Sequence, residues 1–125
     1  MNNKPHKVLI VDDVMQNLLI LNEILKNEFS VQMATSGAEA LRIAFSAEPP
    51  ELILLDIMMP EMDGFEVLQK LKSDERTRDI PVSFVTAKSE MDDRMHGFDL
   101  GISFYITKPI DPTYVLDVVR KHFVL

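Results

Sequence analysis

A chain of 125 residues with a net charge of −7 suits one domain, spanning 1–125 with its core at about 7–123. A chain of this size buries roughly two-thirds of the surface its unfolded form exposes, so it needs no covalent staple. There is no cysteine, which excludes disulfides, thiolate catalysis and cysteine-bound zinc together, and the acidity without any Lys/Arg cluster excludes nucleic acid as a direct partner.

The first residues, Met1 to Lys7, carry positive charge, but the apolar run after them is only Val8 to Val11. A signal-peptide core needs about 7–15 apolar residues, and a membrane span needs ~18. No run in the chain is that long, so a cytoplasmic domain without membrane contact is expected.

Strand-like and helix-like segments then alternate five times. The first strand is expected over Lys7–Val11, followed by a helix from near Met15 with Leu18, Leu21 and Leu25 on one face. A second strand over Ser30–Ala34 leads to a helix with Ala38, Leu41 and Phe45 as its apolar stripe. Ser36 and Glu39 at its start resemble a capping box. The third strand, Glu51–Ile57, is continuously apolar through Leu52-Ile53-Leu54-Leu55, as suits a strand covered on both faces. Asp63 and Glu66 form the next capping-box pattern, Pro81–Thr86 the fourth strand, and Ser89 with Asp92 a third such pattern. The helix after it carries Met91, Met95 and Phe98 at helical spacing. A fifth strand over Ile102–Thr107 precedes Asp111-Pro112, an N-cap with proline at the first helical position, and a last helix with Leu116, Val119 and Phe123. Such alternation implies a doubly wound parallel sheet with right-handed crossovers and helices on both faces.

In open α/β sheets ligands sit beyond the carboxyl ends of the strands, near a switch point. Asp12 and Asp13 end the first strand, Asp56 the third and Thr86 the fourth; Lys108 follows the fifth. The second strand offers nothing comparable. Asp13 with Gln16 would suit a helix cap, yet two adjacent acids repel unless a cation lies between them. A hard divalent cation with oxygen ligands meets that need, and Mg²⁺ is the usual companion of phosphate chemistry. Asp56 can be a strand-ending Asp bonded to nearby amides, or a nucleophile that forms an acyl phosphate. In the second case Lys108 neutralises the transferring group and the Thr86 hydroxyl donates to one of its oxygens. Lys108–Pro109 is an X–Pro bond that can be cis, and a cis bond would aim the lysine inward. Tyr105 fits a packing role or a switch. Pro60 and Gly64 read as turn residues, the eight Met as apolar filler, and His6, His96 and His122 lack ligand spacing.

Taken together, Val8-Leu9-Ile10-Val11-Asp12-Asp13, Asp56 through Gly64, Thr86-Ala87 and Tyr105-Ile106-Thr107-Lys108-Pro109 resemble the receiver domain of bacterial two-component response regulators. The chemotaxis regulator is its simplest form, and the resemblance covers about residues 7–123. It implies a flavodoxin-like (βα)5 fold with strand order 2-1-3-4-5. It implies that Asp56 accepts a phosphoryl group from a sensor histidine kinase or a His-phosphotransfer protein. Mg²⁺, or Mn²⁺ in its place, would be held by Asp13, Asp56 and the backbone carbonyl of Met58, with Asp12 acting partly through water. Thr86 and Lys108 would bind phosphoryl oxygens. Thr86 would move toward the phosphate as Tyr105 turns inward, altering the surface of the fourth helix, fifth strand and fifth helix. That surface would meet a downstream protein or a fused output domain, or pair two phosphorylated copies. Met58 and Lys88 resemble positions that tune phosphoryl lifetime.

Two features depart from the usual receiver pattern. Ile102 and Phe104 stand where a small residue and an acid are common, which leads to the expectation of a more apolar output contact there. Asp12 through Asn17 is similar to receivers of hybrid kinases or cyclic-dinucleotide regulators, so the chain also reads as the receiver of a longer regulator. A phosphatase of the haloacid-dehalogenase type would need an acid at position 58, where Met58 stands. A scaffold that is never phosphorylated would have lost one of the acids or the lysine, and all are present. The domain is therefore expected to catalyse only its own phosphorylation and dephosphorylation.

Overall fold

The computed structural model describes residues 4–123. Five parallel strands run β1 (Lys7–Val11), β2 (Ser30–Ala34), β3 (Leu52–Leu55), β4 (Val82–Thr86) and β5 (Tyr105–Thr107). Between and after them lie α1 (Met15–Leu25), α2 (Gly37–Ala44), α3 (Gly64–Lys72), α4 (Met91–Asp99) and α5 (Pro112–Phe123). The sheet order is β2-β1-β3-β4-β5, the flavodoxin-like order the resemblance implies. Among the described residues no helix is long and apolar enough to cross a membrane.

Alternate strand residues face opposite sides of the sheet. Leu9, Val11, Ile53, Leu55, Val82 and Phe84 pack toward α2 and α3, meeting Ala40, Ala44, Val67, Leu68 and Leu71. Val8, Ile10, Leu52, Leu54, Val85 and Ile106 face the other way, against Leu18, Leu21 and Leu25 of α1 and Val115, Val118 and Val119 of α5. This two-sided burial is why the strands are continuously apolar. Each buried aliphatic side chain contributes about 1.5–3 kcal/mol relative to exposure.

The expected boundaries of three strands are too generous. β3 stops at Leu55 because the Asp56 carboxylate accepts the Met58 N–H (3.1 Å), turning the chain out of the ladder. β4 starts at Val82, since proline at 81 has no N–H to donate. β5 begins only at Tyr105: Gly101 has φ +100° and the Ile102 N–H closes back onto the Gly97 carbonyl at 3.2 Å, so residues 101–102 still finish α4.

The helix starts also divide. Asp63 makes a complete capping box with Glu66. Ser36 caps Glu39 N–H, but Glu39 returns its carboxylate to the Thr35 N–H. Asp111 accepts from the N–H groups of Thr113 and Tyr114. Ser89 caps nothing: α4 starts a residue later, behind Glu90, without a side-chain cap bond. Asp13 is not a cap either, for Val14 occupies that place.

Two apolar stripes lie differently from expectation. α2 buries Gly37, Ala40 and Ala44, one face round from Ala38, Leu41 and Phe45, because only small side chains fit its close approach to the sheet. On α4 the stripe faces water: Met91, Met95 and Phe98 are 67%, 57% and 50% exposed, and only Gly97 is buried. In α5, Val119 is buried while Leu116 and Phe123 are half-buried.

Candidate functional site

β1 and β3 are neighbours, with Val11 opposite Leu55 in register, so the residues that follow them emerge side by side. Asp12 N–H reaches the Ala34 carbonyl (3.2 Å) and Asp56 N–H the Val11 carbonyl (3.0 Å), fixing both backbones at the sheet edge. β1 has β2 on one side and β3 on the other, so strand order reverses at this edge, the place where ligands enter such sheets.

The carboxylates of Asp12, Asp13 and Asp56 each offer an oxygen, all within 4.8 Å of one another. Asp12 and Asp56 are buried, and Asp13 is exposed. Asp12 is the most fully engaged of the three. Its Oδ1 accepts the Val14 N–H (2.9 Å), and its Oδ2 accepts the Asn17 amide (3.2 Å) and the Lys108 ammonium (2.7 Å). Asp56 Oδ1 accepts the Met58 N–H, and its Oδ2 accepts Lys108 Nζ at 3.0 Å. Asp13 accepts no hydrogen bond from the described residues. It is the carboxylate whose oxygens are open to a ligand.

Lys108 stands at the centre. Its N–H donates to the Thr86 carbonyl (2.9 Å), which seats it beyond the end of β4, and the Lys108–Pro109 peptide bond is cis. Burial works against its ammonium, but the hydrogen bonds to Asp12 and Asp56 outweigh that and hold its pKa above the usual lysine range. Three carboxylates thus face one ammonium. The donor set is all oxygen and in excess over the cation, which suits a hard divalent ion.

Thr86 is fully buried at the end of β4, and its Oγ1 accepts the Lys88 N–H (3.3 Å), leaving the hydroxyl proton free to donate. Tyr105 is inward, 7% exposed, and its hydroxyl donates to the Lys88 carbonyl at 2.7 Å. Burial first, then the Asp93 carboxylate, raise its phenol pKa; Arg94 opposes them. Met58, half-exposed, stands beside Asp56.

Gly64 proves to be more than a turn residue. It opens α3, and a Cβ there would lie 2.5 Å from the Asp56 carbonyl oxygen and 2.7 Å from Ile57 Cα. Only glycine lets α3 press against the loop that carries Asp56. Ile102 is a core residue, 6% exposed, and Phe104 is half-buried with its ring edge-on to His122 at 5.5 Å. Ile102 therefore adds nothing to the surface, Phe104 is partly exposed, and the most exposed apolar side chains of that region are Met91, Met95 and Phe98 of α4 with Tyr114 of α5. Sequence reasoning also missed that Asn17 holds Asp12, although an amide on the first turns of the following helix is a usable signal. It missed Arg94, whose guanidinium lies over the Tyr105 ring, because no spacing rule joins a helix residue to a strand aromatic.

The chain matches the family of the response regulator receiver domain over residues 8–120, and it belongs to that family. It is 44% identical over 116 residues to the response regulator PleD of Caulobacter vibrioides, covering 92% of this chain but 25% of PleD. The solved structure of the chemotaxis response regulator CheY4 of Vibrio cholerae is similar with a TM-score of 0.87 at 26% identity, covering 95% of this chain and 99% of that one. That of the phosphorylated cyanobacterial phytochrome response regulator RcpA is similar with a TM-score of 0.81 at 31% identity, covering 94% and 90%. The chain spans about a quarter of the length of PleD.

Proposed function

We propose that Asp56 is the phosphoacceptor of this receiver. An oxygen of its carboxylate attacks the phosphorus of a phosphohistidine on a sensor kinase or phosphotransfer protein. The P–N bond breaks, the imidazole departs and takes up a proton, and an acyl phosphate forms on Asp56. The observation that carries this reading is that Lys108 Nζ bridges Asp56 and Asp12 inside a cluster of three acids.

In the acyl phosphate Lys108 keeps its place at the strand end and turns its donors from carboxylate to phosphoryl oxygens, a charge-assisted contact. The Thr86 hydroxyl supplies a second donor. Asp12 stays fixed by Val14 and Asn17 and so holds Lys108 at the mouth of the site. Asp13, Asp56, Asp12 and the Met58 carbonyl are the oxygens that would hold Mg²⁺ or Mn²⁺. Such an ion, when bound, neutralises charge that builds on the transferring group.

Ile20 of α1 and Ile110 after the cis bond line a groove with Lys108, and with exposed Val14 at the N-cap and Met15 and Leu19 of α1 they offer an apolar landing surface for the donor. The readout would leave through Thr86, Tyr105 and the α4-β5-α5 surface toward a downstream protein or a fused output domain. No turnover of other phosphate esters is part of this reading.

Incubation with a labelled small-molecule acyl phosphate and Mg²⁺ tests it. One acid-labile label per chain is expected, lost in Asp56→Asn and lost when the metal is chelated. Metal-independent labelling, or unchanged labelling of Asp56→Asn, would contradict it. So would repeated turnover of unrelated phosphate esters.

A further inference from the structure

We infer that Arg94 is a positioning residue that clamps Tyr105 inward and, through the Lys88 backbone, sets the Thr86 hydroxyl. The guanidinium carbon lies 4.9 Å from the Tyr105 ring centroid. The ring is edge-on to Phe84 (6.0 Å, 87°), and its hydroxyl is tied to the Lys88 carbonyl. The same Lys88 presents its N–H to Thr86 Oγ1. Four residues in contact therefore run from a helix surface to the buried end of β4, beside the strand that delivers Asp56.

Arg94 is suited to this role because nothing else claims it. Among the described residues it makes no ion pair, so its planar face is free for the ring. The other stacked arginine differs: Arg76 lies over Phe45 at 4.6 Å, but its guanidinium is already forked onto Asp74. The helix that carries Arg94 is itself lightly held, burying only Gly97 and starting without a side-chain cap. Contact between Arg94 and Tyr105 joins α4 to β5, beside the packing of Gly97 on Phe84 and of His96 on Phe65. Cation–π contacts at half-exposed sites shift an equilibrium roughly 2- to 5-fold. That is enough to tune a two-position ring without locking it.

The chain has two tyrosines and no tryptophan, so Tyr114→Phe makes Tyr105 its sole indole-free reporter of ring exposure. In that background Arg94→Ala is expected to raise acrylamide quenching of Tyr105 fluorescence roughly 2- to 5-fold, with Arg94→Lys in between. Ultraviolet titration of the phenol gives a sign test. If Arg94 acted only as a nearby charge, its loss would push the Tyr105 pKa further up. Release of the ring into water removes the burial that raises it most, so the expected change is downward, toward the ordinary tyrosine value.

A last arm rests on the proposed phosphoryl transfer to Asp56: the saturated labelling rate of Arg94→Ala should fall by a similar factor with donor KM unchanged. The optical arms need no phosphoryl chemistry. Unchanged quenching together with a raised phenol pKa overturns the clamp, whatever the labelling shows. Absence of label in the parent chain overturns the phosphoacceptor reading and leaves the clamp standing on its optical result.

Discussion

Helices α3 and α4 follow one another in the chain, have nine residues each, and approach the same face of the sheet. α3 begins with a full capping box and buries Gly64, Val67, Leu68 and Leu71. α4 has no side-chain cap and buries Gly97 alone, leaving its Met91, Met95 and Phe98 stripe in water. Even their glycines differ. Gly64 is pressed against the backbone at Asp56 and Ile57, which cannot yield, whereas Gly97 faces the Ile102 and Phe84 side chains. The contrast assigns them different work. α3 is the fixed wall behind the acidic site, and α4 is a lightly anchored lever whose position is read at the surface. Local stability is unevenly spread in proteins, and moving elements come from its low end.

Truncation should separate the two helices most. Leu68→Ala on α3 removes a fully buried side chain and should cost about 2–5 kcal/mol in denaturant unfolding. Met95→Ala on α4 should stay within about 0.5 kcal/mol. Equal losses would erase the distinction between wall and lever.

The glycines come next. Gly64→Ala forces a carbon into backbone and should cost about 1–3 kcal/mol while also slowing labelling of Asp56. Gly97→Ala displaces side chains, and the better helix propensity of alanine offsets about 1 kcal/mol of the strain. Its net cost should therefore be smaller, measured in the same unfolding series. Capping gives the finest comparison. Asp63→Ala should lose about 0.5–2 kcal/mol, while Glu90→Asp should gain up to about 1 kcal/mol by giving α4 the cap it lacks. A loss from Glu90→Asp would show that the start of α4 is held by something other than its cap.

Much of this was legible in the residues. Continuously apolar strands between capped helices announce a parallel sheet buried on both faces, and the strand ends then place Asp12, Asp56, Thr86 and Lys108 together. What the sequence hides is which way an apolar stripe faces. Met91, Met95 and Phe98 have the same spacing as Leu18, Leu21 and Leu25, yet the first set is exposed and the second buried. Periodicity says that three side chains share a face, not that a partner covers it. The Ser89 pattern fails for a related reason. A capping box needs the backbone to enter the helix at that residue, and here Lys88 is tied to Thr86 and Tyr105, so the helix begins later. Likewise, the bulk of Ile102 says nothing about whether it points out or in. The close approach of α4 at Gly97 decides that.

Whether Asp56 carries the phosphoryl group is decided by reductive trapping with borohydride and peptide mass spectrometry after phosphorylation in Mg²⁺. Homoserine is expected in place of aspartate at position 56 and at no other acid, with none formed in the chelated sample. Trapping at Asp12 or Asp13, or an unmodified peptide around Asp56, would contradict it.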